Sequence, residues 1–265
     1  MSLRQLAIVA ITLTDNVRNK QNNWALGGIL AFIAGAVNAG GFLAGQRYTS
    51  HMTGIISGIA DDLVISEIGI VLAGIAFLIS FVSGAAVTAI LINWARRKQL
   101  HSEFALSLCL EAVLLLVFGI LGFSLNILVE VFVPTTILVL CFVMGLQNAI
   151  MTKISKAEIR TTHMTGIVTD IGIELGRLLY WNRDHSSMPQ KRVVADREKL
   201  RVHLIIFSLF LIGAIVGATS FKHFGSVTTV PLAGFLILIS LPPITKDLIE
   251  LWRTKRSSLT KSRST

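Results

Sequence analysis

Apolar residues in this chain fall in long unbroken runs rather than in the short periodic stripes of a water-soluble domain. A helix needs about 20 such residues to cross a hydrocarbon core of roughly 30 Å. Runs of that kind occupy about 25–45, 68–93, 103–126, 134–151, 202–221 and 227–246. The pattern predicts six membrane-spanning helices. After the first run of each half comes a segment that breaks the pattern, about 50–65 and 161–179. These segments are too short or too charged to face lipid, since Asp170, Glu174 and Arg177 alone would cost roughly 7 to 10 kcal/mol to insert. Backbone of this kind persists at membrane depth only when buried in protein or lining a wet cavity. The two segments are therefore expected either as re-entrant half-helices or as amphipathic helices at the interface.

Both segments open on the same words. Thr49-Ser50-His51-Met52-Thr53-Gly54 returns as Thr161-Thr162-His163-Met164-Thr165-Gly166, identical at five of six positions. The match extends back to Gly35 and Asn38, answered by Gly145 and Asn148, and forward to Asp62, answered by Glu174. The second run of each half carries small residues that let helices approach closely, Ser83-Gly84-Ala85 in one and Gly213, Ala214, Gly217 and Ala218 in the other. A unit of three spans reverses direction on duplication, so the halves are expected to be inverted about an axis in the membrane plane. The expected fold is an all-α polytopic membrane protein of two inverted three-span repeats, each with a broken His-Thr-Gly helix. The chain divides into an amphipathic cytoplasmic lead-in (1–24), a first membrane repeat (25–126), a second (134–246) holding a polar cytoplasmic loop (181–201), and a basic disordered tail (247–265).

Composition agrees: 53 % of the 265 residues are hydrophobic and 15 % charged, with a mean hydropathy of +0.71. A formal charge of +9 raises the question of nucleic acid, but the distribution of the charge answers it. With the N-terminus inside, 22 of the 24 Lys and Arg fall on the cytoplasmic side, and only Arg47 and Lys222 face out. The charge is topological and faces anionic lipid headgroups, so membrane lipid is an expected partner and nucleic acid is not. Cys109 and Cys141 sit in apolar runs as packing residues, too few for a disulfide framework or a metal cluster. Neither a metal nor a cofactor is implied. Catalytic signatures such as His-Glu-x-x-His, Gly-x-Ser-x-Gly or Cys-x-x-Cys do not occur, and no enzyme is expected.

The candidate chemistry lies in the repeated elements. Positions eleven apart on a helix share a face, which would set His51 above Asp62 and His163 above Glu174, with Asp170 in the same stripe. Thr53 and Thr165 are expected to cap half-helices starting at Gly54 and Gly166, whose free amides favour an anion. His51, Thr53, Gly54, Asn38, His163, Thr165, Gly166, Asn148, Asp170 and Glu174 are the solute-binding candidates. Asn38 and Asn148 also suit hydrogen bonds between helices, and His and Thr could simply stitch the helix starts to their neighbours. Glu111, deep in the third run and without an acidic counterpart in the other half, is the proton-coupling candidate, because desolvation there penalises the anion.

Ser50 to Gly54, Gly145-Leu146-Gln147-Asn148, and Arg160 to Gly166 running on to Asp170 and Glu174-Leu175-Gly176-Arg177 resemble the bacterial YoaK-like family of membrane proteins, a domain of unknown function. The resemblance spans roughly 25–246. It departs at Ile55, where that family usually carries Asn. It implies a multi-pass protein of the bacterial cytoplasmic (inner) membrane, with no established substrate. The leading expectation is a transporter or channel for a small polar or anionic solute, with a homo-oligomer admissible. The alternative is a non-transporting scaffold or sensor that uses its basic cytoplasmic loop.

Overall fold

The computed structural model describes residues 20–45, 47–124, 129–155, 161–180 and 193–262. They form α1 (Lys20–Gly45), α2 (Met52–Val64), α3 (Ile68–Arg97), α4 (Ala105–Ser124), α5 (Val129–Ile154), α6 (Met164–Leu179), α7 (Arg197–Phe224), a 3-10 turn (Gly225–Thr228) and α8 (Thr229–Ser262). Among the described residues there is no strand. Lys20–Leu43, Ile68–Arg97, Pro134–Ile154 and Arg197–Arg253 are long and apolar enough to cross a membrane. The last of these runs through α7, the turn and most of α8, while α4 contributes the shorter apolar stretch Ala105–Gly119. Large apolar side chains such as Leu72, Ile79, Ile90, Ile215 and Leu248 are exposed. So wide an apolar surface is what lipid would cover.

α1 and α5 form the centre, with Leu26, Leu30, Leu140, Met144 and Ile150 fully buried. The Gln147 side-chain amide donates to the Leu30 carbonyl (3.0 Å) and that of Asn23 to the Ile154 carbonyl (3.5 Å). One partner number falls as the other rises, so α1 and α5 are antiparallel. Each then packs along the long helix of the other half. A methyl group on Gly35 would strike the Phe210 carbonyl, and one on Gly145 the Phe81 carbonyl. Reciprocally, Gly84 abuts the Phe142 carbonyl and Gly213 that of Phe32. Gly28 meets Leu209 and Ala36 meets Gly217, and Ser80 meets Leu138 and Thr88 meets Leu146, so in both pairs the numbers rise together: α1 runs parallel to α7 and α5 parallel to α3. Ser80 and Thr88 fasten the α3–α5 pair by donating to the carbonyls of Leu138 (2.6 Å) and Leu146 (3.2 Å). Only glycine permits backbones to meet this closely, the usual device where no hydrophobic force drives helices together within lipid.

α4 packs against α8. Asp247 on α8 accepts the backbone N–H groups of His101 (3.0 Å) and Ser102 (2.8 Å) ahead of α4, and Thr229 donates to the Leu115 carbonyl (2.7 Å) near its other end. The turn before α4 is held by Arg96, which grips Glu103 through two bonds of 3.0 Å.

Two boundaries differ from the sequence reading. The expected disordered tail is helical, because α8 continues through Pro242 and Pro243 to Ser262; Ser, Thr, Lys and Arg are poor core residues but adequate helix formers. The polar loop is shorter than 181–201, since α7 starts at Arg197, where Asp196 caps it by accepting the Lys199 N–H (3.0 Å). Residues 181–192 and most of the lead-in lie outside the described residues, and α1 already begins at Lys20.

Candidate functional site

The repeated words sit at the starts of the two short helices. α2 opens at Met52 and α6 at Met164, and the preceding histidines take the N-cap position with matching backbones: φ −91°, ψ 66° at His51 and φ −83°, ψ 56° at His163. Their carbonyls accept the first intrahelical bonds, from Ile55 and Ile167, both at 3.1 Å. Neither imidazole caps. Each instead lies back over the glycine three residues on, so that a methyl group on Gly54 or Gly166 would strike the ring of His51 or His163. The glycine of the motif therefore makes room for its own histidine.

This corrects two expectations. Thr53 and Thr165 do not cap helices that begin at glycine; they are exposed second residues of helices that start earlier. Once the chain has entered the helix at methionine, a threonine at the second position points sideways, away from the free amides. Nor do the histidines crown a stripe of acids. A residue at the N-cap has left helical geometry, so the eleven-residue spacing no longer carries it over Asp62 or Glu174.

The asparagines prove central. Asn38 on α1 accepts from both the backbone N–H (3.1 Å) and the hydroxyl (3.0 Å) of Ser50. Asn148 on α5 accepts from the Thr162 hydroxyl (2.6 Å) and steadies itself by donating to the Met144 carbonyl (2.9 Å). Ser50 and Thr162 are the one mismatched pair of the repeat, yet both bring a hydroxyl. Asn38 stands seven residues before the end of α1 and Asn148 six before the end of α5, about 10 and 9 Å along the axis. The chain thus doubles back beside the helix it has left before each short helix begins. Tyr48 stacks on Phe42 (4.7 Å between centroids) along that return. Behind each histidine, Thr49 and Thr161 are fully buried, and neither hydroxyl has a hydrogen-bond partner among the described residues.

From these starts α2 packs on α3 and α6 on α7. The acids of α6 join a network that the sequence did not disclose. Asp170 lies 3.3 Å from the Lys199 ammonium and 3.8 Å from His203 Nε2. Glu174 is buried, its oxygens accepting from Arg177 and from the backbone N–H of Asp196, each at 2.8 Å. Lys199 and His203 belong to a helix that begins beyond 181–192, so no local spacing signals them. Glu111 stands apart on α4, fully buried with no hydrogen-bond partner to either oxygen among the described residues, and the buried Ser107 hydroxyl one turn away is likewise unpartnered.

The profile of a family described as "Protein of unknown function (DUF1275)" matches residues 26–241, which runs from within α1 into the first part of α8 and includes both repeated elements. A curated relative, the "UPF0700 transmembrane protein YoaK" of Bacillus subtilis (strain 168), is 29 % identical over 204 residues, 74 % of this chain and 84 % of its own. No solved structure matches. With its apolar helices and both His-Thr-Gly elements inside the matched region, this membrane protein belongs to the DUF1275 family.

Proposed function

We propose that the protein is a transporter or channel for a small polar or anionic solute, built as two inverted three-span halves with six spans in all. The observation that carries the reading is the pair of short helices whose starts are tied, by Asn38 and Asn148, about 10 Å back along α1 and α5. A helix that starts part-way along a span presents free amides inside the bundle, the arrangement that holds solutes in transporters made of inverted repeats. The buried, unpartnered hydroxyls of Thr49 and Thr161 add one polar group to each start. The antiparallel order of α1 and α5, with the reciprocal contacts of Gly35 and Gly145, supports the inversion. Glu111, without a partner in the core, is the group proposed to exchange a proton. The basic asymmetry supports a cytoplasmic position for both termini and for 181–201.

The test is reconstitution into proteoliposomes and a screen of small polar and anionic solutes for flux under a pH gradient. At least one solute is expected to move. Glu111→Gln should then abolish pH-driven uptake and leave binding intact, whereas His163→Ala should weaken binding itself. A folded, reconstituted protein that moves nothing across the panel overturns transport, and the scaffold reading takes its place. Labelling of a cysteine placed at Ser187 from outside intact cells would overturn the topology.

A further inference from the structure

The outer face of α7 has an arrangement that the solute pathway does not use. At its start, Arg197 and Arg201 stand one turn apart, both exposed, and neither has an acidic partner among the described residues. Along the same face follow Leu204, Ile205 and Leu209, lining with the arginines a hollow of about 640 Å³. Leu209 also borders an apolar groove of about 400 Å³ between α1, α7 and α8, walled by Ile29, Phe32, Leu232 and Phe235. The floor of that groove is Gly28, where an added methyl would come within 2.7 Å of the Leu209 side chain. Two uncompensated guanidinium groups thus head a continuous apolar channel. Arg201 and Leu209 are eight residues apart, about 12 Å along the helix, and the groove extends further.

We infer that this face binds one anionic phospholipid of the leaflet in which α7 begins, with its phosphate between Arg197 and Arg201 and an acyl chain running past Leu204 and Leu209 into the groove over Gly28. Arginine suits phosphate through its planar fork of donors, and basic groups at the membrane surface select anionic headgroups. The other half lacks the site. By the alignment that matches Gly35 to Gly145, Gly28 corresponds to Leu138, a large side chain packed beside the cluster of Ile55, Phe77, Ile137 and Cys141. By the alignment that matches Gly84 to Gly213, Arg197 and Arg201 correspond to Ile68 and Leu72. One half of the duplicated sequence therefore carries two arginines and a glycine at these places, and the other carries three large apolar residues.

Native mass spectrometry of the full chain, released from detergent with equal amounts of phosphatidylglycerol and phosphatidylcholine, tests this directly. One phosphatidylglycerol is expected to be retained, with at least about a tenfold preference. Arg197→Gln with Arg201→Gln should bring the preference close to one without changing thermal unfolding, because both side chains are exposed. Arg253→Gln, an exposed arginine on α8, should leave it unchanged. Gly28→Leu should shorten retention of either lipid; should that variant not fold, Phe235→Ala, which widens the groove, should also lower retention. Equal retention of the two lipids by the unaltered chain overturns the inference. So does a loss of preference in Arg253→Gln as large as in the double variant, which would make the effect one of general charge.

Discussion

The junctions α2–α3 and α6–α7 occupy matching places and are filled in opposite ways. Between α2 and α3 the contact is apolar: Ile55 and Phe77 are buried with Ile137 and Cys141, and Ile59 lies against Gly74, within 2.6 Å of where a methyl would be. Asp62 has no ion pair there among the described residues. Between α6 and α7, Asp170 stands where the first half has Gly58, Glu174 where it has Asp62, and His203 where it has Gly74. The result is a polar network of Asp170, Glu174, Arg177, Lys199 and His203. Because the apolar version forms the same helix pair, the charges are not what the fold requires. Buried ion pairs are in any case weak contributors to stability relative to apolar packing. The second junction has traded packing for polarity on the side where the long polar loop enters, and that asymmetry is laid over a shared frame.

The frame itself should be the most fragile part. Gly35→Leu and Gly145→Leu drive a side chain against a backbone carbonyl that cannot rotate away. Overpacking commonly costs 1–3 kcal/mol, and here about 3 kcal/mol or more is expected. Both variants should lose most of their monodisperse yield and unfold early in a detergent titration. If one glycine tolerates leucine and the other does not, the two halves do not share the frame, and the comparison of their junctions fails.

The junctions should respond unequally. Glu174→Ala leaves the Asp196 N–H and the Arg177 guanidinium without their acceptor. A hydrogen bond to a charged group contributes about 1.5–3 kcal/mol, and since Arg177 and Asp196 are open to water once the carboxylate is gone, a loss of about 2 kcal/mol is expected. Asp62→Ala should stay within about 0.5 kcal/mol. Unfolding of both variants under one titration checks this, and equal losses would mean that Asp62 has a partner the first junction conceals.

Much of the frame was legible beforehand because lipid leaves few choices of structure. The six apolar runs became helices, and the duplicated words marked the two short ones. What stayed hidden depended on contacts across the chain. Gly35 and Gly145 were visible as a matched pair, but nothing local says that each meets a carbonyl from the opposite half. Thr53 and Thr165 suit a cap by residue type, but capping preference ranks residue types and does not say where a helix starts, and these helices start at Met52 and Met164. Lys199 and His203 carry no motif and reach Asp170 only through the fold. The burial of Glu111 is legible in the sequence, since an acid among Leu108, Cys109, Leu110 and Ala112 stands deep in an apolar run.

The smallest effect concerns the ties that bend the chain back. Asn38 accepts two bonds from Ser50, whereas Asn148 accepts one from Thr162. Side-chain hydrogen bonds within membrane proteins average about 0.6 kcal/mol and reach about 1.7. Asn148→Ala should therefore cost about 0.6 kcal/mol and Asn38→Ala about 1 kcal/mol. The residue changes also remove packing, so the decisive quantity is the coupling in a double-mutant cycle with the hydroxyl partner. In the second half the cycle pairs Asn148→Ala with Thr162→Val, which keeps the shape of the side chain and removes its hydroxyl. Thr162→Ser keeps the hydroxyl and copies the residue found at Ser50, so it should retain the coupling that Thr162→Val abolishes. In the first half, Ser50→Ala removes only one of two bonds, because the backbone N–H still donates to Asn38. Its coupling with Asn38→Ala should thus be smaller than the full cost of Asn38→Ala, while in the second half the two should nearly agree. Coupling near zero in both halves would make the asparagines ordinary packing residues, and the doubling-back of each short helix would have to be held by the loop alone.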